Sequence, residues 1–117
     1  MKDLERVYNL KFKDIYPCYL TKAEKKSKTQ EQVNQIITWL TGYSPGGIKE
    51  AIADEHNLKI FFANAPKLNP NRKKITGVIC GYRVEDIKEP LMQEIRYLDK
   101  LIDELARGKK FENILRS

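Results

Sequence analysis

The chain reads as an all-α protein, a compact bundle of five or six short helices around one long helix near its C-terminal end, at about residues 90–107. Three observations predict this. Leu91, Ile95, Leu98, Ile102 and Leu105 recur at intervals of four, three, four and three residues, which at about 3.6 residues per turn draws a single apolar stripe along a helix. A capping side chain followed by proline, a strong helix-start signal, occurs at Ser44–Pro45 and again at Asn69–Pro70. Four short amphipathic segments in a row leave little chain for a sheet, and no second strand candidate accompanies the one ambiguous stretch.

Taken in order, residues 1–11 form an arm that is either frayed or docked. Phe12, Ile15, Tyr16, Tyr19, Leu20 and Ala23 fall at helical spacing and predict a first helix over about Lys13 to Lys26, with Pro17 either in its first turn or kinking it. Thr29 and Gln32 make a T-x-x-Q capping box for a second helix, whose apolar side is Val33, Ile36, Ile37 and Leu40, flanked by Trp39. Gly42 is placed for the left-handed cap that ends it. From Ser44 and Pro45 a third helix runs to about Glu55 and buries Ile48, Ala51 and Ile52. Asn57 caps a short fourth helix in which Leu58, Phe61, Phe62 and Ala65 share a face until Pro66 stops it.

Lys74 to Ile87 is the ambiguous stretch. Ile75, Val78 and Ile79 continue a helical face begun at Pro70, while the β-branched residues between Gly77 and Gly81 also suit a short strand. Helix to about Cys80 is the favoured reading, followed by an irregular link through Tyr82, Val84 and Ile87. The two glycines either let helices approach closely or turn the backbone with positive φ. The long helix follows, with Pro90 in its first turn and Gly108 at its stop, and Phe111, Ile114 and Leu115 form one closing turn that folds back on the core.

With 117 residues the chain fits a single domain, 1–117, large enough for one core. Hydrophobic residues at 41% and charged residues at 32% are the balance of a soluble globular protein. No apolar run approaches the roughly 20 residues needed to cross a bilayer. The start, MKDLERVYNL, lacks the apolar core of a secretory signal, so the cytoplasm is the expected compartment. In that setting Cys18 and Cys80, far apart and without CxxC spacing, read as reduced, buried small hydrophobes.

The formal charge is +6, from 22 Lys and Arg against 16 Asp and Glu. It gathers at Lys22, Lys25, Lys26 and Lys28, at Arg72, Lys73 and Lys74, and at Lys109, Lys110 and Arg116. Lys25, Lys26, Lys73, Lys74 and Lys109 are the candidate phosphate contacts, against the simpler reading that such residues serve solubility. The second and third helices superficially resemble a helix-turn-helix. The third offers Gly46, Gly47, Lys49, Glu50, Asp54 and Glu55, however, where base-reading side chains belong, and phosphate would repel its acidic end.

No constellation names a reaction. His56 lacks the further His or Cys ligands zinc requires and reads as a helix C-terminal residue set against the dipole. Asp99 and Asp103, at i and i+4, read as the solvated face of the long helix rather than a carboxylate metal site. The glycines of TGVICG follow neither phosphate-loop nor dinucleotide fingerprint, neither cysteine has a neighbouring base, and Ser44 is used as a cap. Catalysis, cofactor and metal therefore have no positive support. A polar cluster remains: Arg83 and Glu85 with Asp86, then Gln93, Arg96 and Tyr97. Arg96 at the edge of the apolar stripe is expected to pair with Glu85 or Asp86 as a structural tie. The functional alternative makes Arg83, Glu85, Arg96 and Tyr97 a binding surface for an anion or a peptide carboxylate.

The runs IYPCYLTKAEKK at 15–26, WLTGY at 39–43, FFANAPKLNPN at 61–71, ITGVICGYRVEDI at 75–87 and PLMQEIRYLDKLIDELARGK at 90–109 resemble the uncharacterised family known as domain of unknown function 2200, over nearly the whole chain. The resemblance implies a small, mainly helical, soluble bacterial protein and supplies no activity, ligand or site residue. Two functions follow from the residues: a non-enzymatic interaction or regulatory module that holds a protein or peptide beside the long helix, and non-specific nucleic-acid binding through the basic clusters.

Overall fold

The computed structural model describes residues 4–116, so residues 1–3 of the expected arm and Ser117 lie outside it. Among the described residues the order is α1 (Leu4–Tyr8), α2 (Phe12–Glu24), α3 (Gln30–Thr41), α4 (Pro45–Ala53), α5 (Leu58–Ala63), a 3-10 turn (Pro70–Lys74), β1 (Val78–Ile79), β2 (Tyr82–Arg83), a second 3-10 turn (Val84–Asp86), α6 (Pro90–Ala106) and α7 (Phe111–Ile114). The fold is all-α apart from one small hairpin. Its helices number seven because the arm docks as α1, with Leu4, Val7 and Tyr8 packed against the core, and because α7 is a single closing turn sealed by Ile114.

Local sequence chemistry sets the helix ends. Thr29 and Gln32 form the reciprocal capping box, with Gln32 N–H donating to Thr29 Oγ1 at 3.1 Å and Thr29 N–H donating to Gln32 Oε1 at 3.0 Å. Ser44 accepts from Gly47 N–H at 3.0 Å and Asn57 from Ile60 N–H at 2.8 Å, which satisfies donors a helix start otherwise leaves bare. At the other end of α3, Gly42 takes φ +81, and a Cβ there would lie 2.7 Å from the backbone nitrogen of Lys67. Only glycine fits. That close approach lets Lys67 N–H and Asn69 N–H donate to the Thr41 and Leu40 carbonyls, so the turn after α5 closes the end of α3.

Three helices end in the same double-bonded left-handed cap. Lys28 N–H reaches Ala23 C=O after α2, His56 N–H reaches Ala51 C=O after α4, and Lys109 N–H reaches Glu104 C=O after α6. Gly108 serves the last with φ +86, but Ser27 (φ +62) and Glu55 (φ +54) hold the left-handed residue in the other two. In α2, Pro17 is neither at the start nor a terminator but the sixth residue of the helix, where it removes the donor for the Lys13 carbonyl.

The aromatic side chains bind the N-terminal half together. Phe12 stacks on Phe61 with ring centroids 4.0 Å apart, Tyr43 stacks on the same ring at 4.6 Å, and Tyr43 Oη–H donates to the Phe61 carbonyl at 2.6 Å. One ring of α5 thereby joins α2 to the α3–α4 turn. The joint is reinforced by Phe12 N–H donating to the His56 carbonyl at 2.9 Å and Leu58 N–H to the Leu10 carbonyl at 2.8 Å.

Residues 74–87 correct the expectation of a helix to Cys80. The helix begun at Pro70 is a 3-10 turn that ends at Lys74, and the chain then makes an antiparallel hairpin pairing Val78 with Arg83 and Ile79 with Tyr82. The missing second strand is Tyr82–Arg83, reached directly after a two-residue turn. Cys80 (φ +52) and Gly81 (φ +82) are the two positive-φ residues of a type I′ turn, whose twist matches that of paired strands. Two-residue strands lie below any periodicity a sequence can display, and Cys is an uncommon occupant of the first left-handed position.

α6 is more deeply buried than one stripe implies. From Leu101 to Ala106 every residue is buried, Asp103 and Glu104 included, so this half of the helix is surrounded. Its neighbours are α2, α3, α5, the hairpin and α7. Leu98 and Ile102 are each about 1% exposed. Replacing either with Ala is expected to lower unfolding free energy by roughly 2–5 kcal/mol, measured by urea denaturation, through lost burial and the cavity left behind.

Candidate functional site

The polar residues of α6 tie the fold together. Glu94 accepts two bonds from Arg72 Nε, at 2.8 and 2.9 Å, and Asp99 accepts from Tyr19 Oη at 2.6 Å and Arg96 at 2.7 Å. Asp103 accepts from Lys22 Nζ at 3.0 Å and Arg107 Nε at 2.8 Å, and Glu104 takes both terminal nitrogens of Arg116 and, at 3.4 Å, Lys109 Nζ. Asp99 and Asp103, expected on a solvated face, are instead links to α2. Arg96, expected to pair with Glu85 or Asp86, pairs within its own helix with Asp99, one turn away and already in reach. Burial pushes the Tyr19 hydroxyl well above its usual pKa, and the Asp99 carboxylate beside it adds to the rise.

The expected binding surface of Arg83, Glu85, Arg96 and Tyr97 is divided. Tyr97 is 2% exposed and belongs to the core, and Arg96 is half-buried. Arg83 and Glu85 stand on the hairpin surface, paired at 3.2 Å. Glu85 also accepts from Gly77 N–H at 2.9 Å, while Val84 N–H donates to the Gly77 carbonyl at 2.9 Å, so the base of the hairpin is clasped twice. Backbone donation from Gly77 and the Glu85 amide, with Arg83 beside it, holds the Glu85 carboxyl below its ordinary value.

This clasp presents what sequence reasoning missed. Val78 and Tyr82 remain 57% and 51% exposed, the most exposed large apolar side chains described. Tyr82 and Arg83 open onto a groove of about 360 Å3 completed by Asp86, Ile87, Lys88 and Glu89. Of the groove residues, Arg83 is singled out in the sequence by its charge, and Tyr82, an aromatic residue in a turn-rich link, carries a further signal. Trp39, half-buried, lines a separate groove of about 480 Å3 with Thr38 and Pro45.

The basic clusters are likewise separated. Arg72 is anchored to Glu94 and Lys22 to Asp103, nine residues apart on α6, which is about 13.5 Å along the axis and two and a half turns around it. The clusters of Lys25 and Lys26 and of Lys73 and Lys74 therefore attach on opposite sides of the central helix. Lys109 is engaged by Glu104. Lys25 and Lys26 do share an open depression with Lys22, Lys28, Asp103 and Arg107.

Cys18 and Cys80, expected to be buried, are both exposed and unpaired, one on the outer side of α2 beside Pro17 and the other at the hairpin turn. His56 follows the end of α4 as expected, with Nε2 3.9 Å from the Asp54 carboxylate. Among the described residues, no three His, Cys, Asp or Glu side chains are placed to hold a metal ion, and no helix is long and apolar enough to cross a membrane.

A small helical domain wrapped around a central C-terminal helix is the class this geometry defines. The model of a family described as an uncharacterized protein conserved in bacteria (DUF2200) matches residues 6–116, and the chain belongs to that family. It is similar to a protein of known crystal structure, the uncharacterized protein SP1917, with 43% sequence identity and a TM-score of 0.89 over 98% of this chain and 93% of that one. No curated protein matches the chain. The activity of the family is unassigned in both descriptions.

Asp103 provides a pH test of the central ties. Burial raises its carboxyl pKa, but donation from Lys22 and Arg107 outweighs burial and holds it below its ordinary value of 3.8. A depressed folded-state pKa contributes stability that is present above the unfolded value and lost as pH falls through the folded one. Asp103→Asn is therefore expected to lower the melting temperature at pH 7. The gap from wild type should narrow as pH falls below about 4, measured by thermal scans across the acid range.

Proposed function

We propose that this protein is a non-enzymatic interaction module of the cytoplasm that docks a protein partner through the β1–β2 hairpin and the groove beside it. The observation that carries this reading is the exposure of Tyr82 at the edge of that groove, with Val78 exposed on the opposite face of the same hairpin, whose base Glu85 clasps. Large apolar side chains held in one geometry lose little entropy on docking, and tyrosine with arginine at a groove edge is the composition of interface anchors. Arg83 and Lys88 beside Asp86 and Glu89 supply a mixed polar rim. Cys18 and Cys80, exposed and not bonded to each other, suit a reducing compartment, where thiols persist.

The double variant Val78→Ser/Tyr82→Ser removes the apolar contact and keeps the turn. Its melting temperature is expected to stay within a few degrees of wild type, while partner proteins captured by immobilised wild-type protein are lost. Capture unchanged by the double substitution overturns the hairpin as the docking surface.

Non-specific nucleic-acid binding is the second reading, favoured by the gathering of Lys25 and Lys26 in one depression. The placement of the other cluster on the far side of α6 ranks it lower, since a backbone-tracking site needs its cations along one groove. Fluorescence anisotropy of single- and double-stranded oligonucleotides is expected to show at most weak binding at about 50 mM salt, falling steeply by about 200 mM. Tight binding that spares the hairpin variant would put nucleic acid first.

A further inference from the structure

The C-terminal ends of α2 and α6 meet around an open depression of about 710 Å3, bordered by Lys22, Lys25, Lys26, Lys28, Arg107 and Asp103. Ala106 and Gly108 complete its lining. Five cationic side chains thus face one carboxylate, and that carboxylate is already shared between Lys22 and Arg107.

Helix C-termini attract cations, but here that attraction does not account for the cluster. Both helices are closed by left-handed caps whose backbone N–H groups, from Lys28 and Lys109, take the carbonyls of Ala23 and Glu104. Lys25, Lys26 and Lys28 have no side-chain partner among the described residues. Asp103 does a different job. Nearly buried, it holds Lys22 Nζ at 3.0 Å and Arg107 Nε at 2.8 Å, which sets two cations at the border and leaves both terminal guanidinium nitrogens of Arg107 without a partner among the described residues. Cations crowded in this way repel one another unless an anion is shared among them.

We infer that this depression is a binding site for a small anion built of several linked phosphates. Its volume falls within the roughly 300–1,000 Å3 of small-molecule sites, and its wall is cationic rather than apolar. A phosphate chain is the chemistry that fits: oxygens spaced along one molecule meet separate lysines, while Arg107 offers the paired donors that phosphate oxygens accept. The site is independent of the hairpin surface, which lies on other residues.

Isothermal titration of the full chain with sodium tripolyphosphate, ATP without magnesium, and inorganic phosphate at about 50 and 150 mM salt tests this. Tripolyphosphate is expected to bind one per chain, at least about tenfold more tightly than inorganic phosphate. Equal affinity for ATP would place recognition on the phosphate chain. Lys25→Gln/Lys26→Gln should weaken binding by about tenfold or more with melting unchanged, whereas Lys73→Gln and Val78→Ser/Tyr82→Ser should leave it unaltered. Absence of saturable tripolyphosphate binding at the lower salt overturns the site. So does equal weakening by Lys73→Gln, which would mean diffuse charge, and so does a single-stranded oligonucleotide that binds more tightly than tripolyphosphate.

Discussion

Two carboxylates on a surrounded helix govern how this protein is assembled. Asp103 and Glu104 lie adjacent in α6, both nearly buried, and an ionised carboxylate withdrawn from water is tolerated only with charged or hydrogen-bonding partners. The partners come from elsewhere in the chain. Lys22 arrives from α2, Arg116 from beyond α7, and Arg107 and Lys109 from the turn that follows α6. Asp99 repeats the device about one turn earlier with Tyr19 from α2, and Glu94 about two and a half turns earlier with Arg72 from the 3-10 turn. Hydrophobic packing supplies most of the driving force, but it is non-directional. The polar ties decide which element lies on which side of α6.

The same arrangement decides which surfaces remain for binding. Once α6 has recruited Arg72, Arg96 and Arg116 into the interior shell, the cations left at the surface are mostly lysines at helix ends, and they fall into separate groups. One group, at the ends of α2 and α6, is concave because both helices stop there in left-handed caps and the chain turns away. The hairpin forms at a different place for a different reason. Its turn needs two consecutive residues with positive φ, and Glu85 ties its base through the Gly77 amide, so Val78 and Tyr82 are held outward. A protein-docking surface and an anion site on separate elements can operate without sharing residues.

Helix identity was legible because its determinants are local. Thr29 with Gln32, Ser44 with Pro45, Asn57 and Gly42 each act within a few residues, and each end falls within about two residues of where the sequence puts it. The apolar positions Val33, Ile36, Ile37, Leu40, Leu58, Phe61 and Phe62 are likewise in the core that their periodicity predicts. The hairpin was not legible, since two residues per strand carry no period. The candidate site was legible only in part: the lysine cluster and Arg83 are visible as charges, but their neighbours are set by long-range packing.

By itself, then, the sequence determined an all-α chain, the caps and stops of its helices, the α6 stripe and membership of its family, because spacing and capping chemistry act over one or two turns. Tertiary structure alone decided that Asp99 and Asp103 are ties rather than a solvated face, that Tyr97 is core, that the cysteines are exposed and that the basic clusters part around α6. The physical reason is that a charge pattern states which groups need partners, whereas burial and the choice of partner depend on which distant segment packs against the helix.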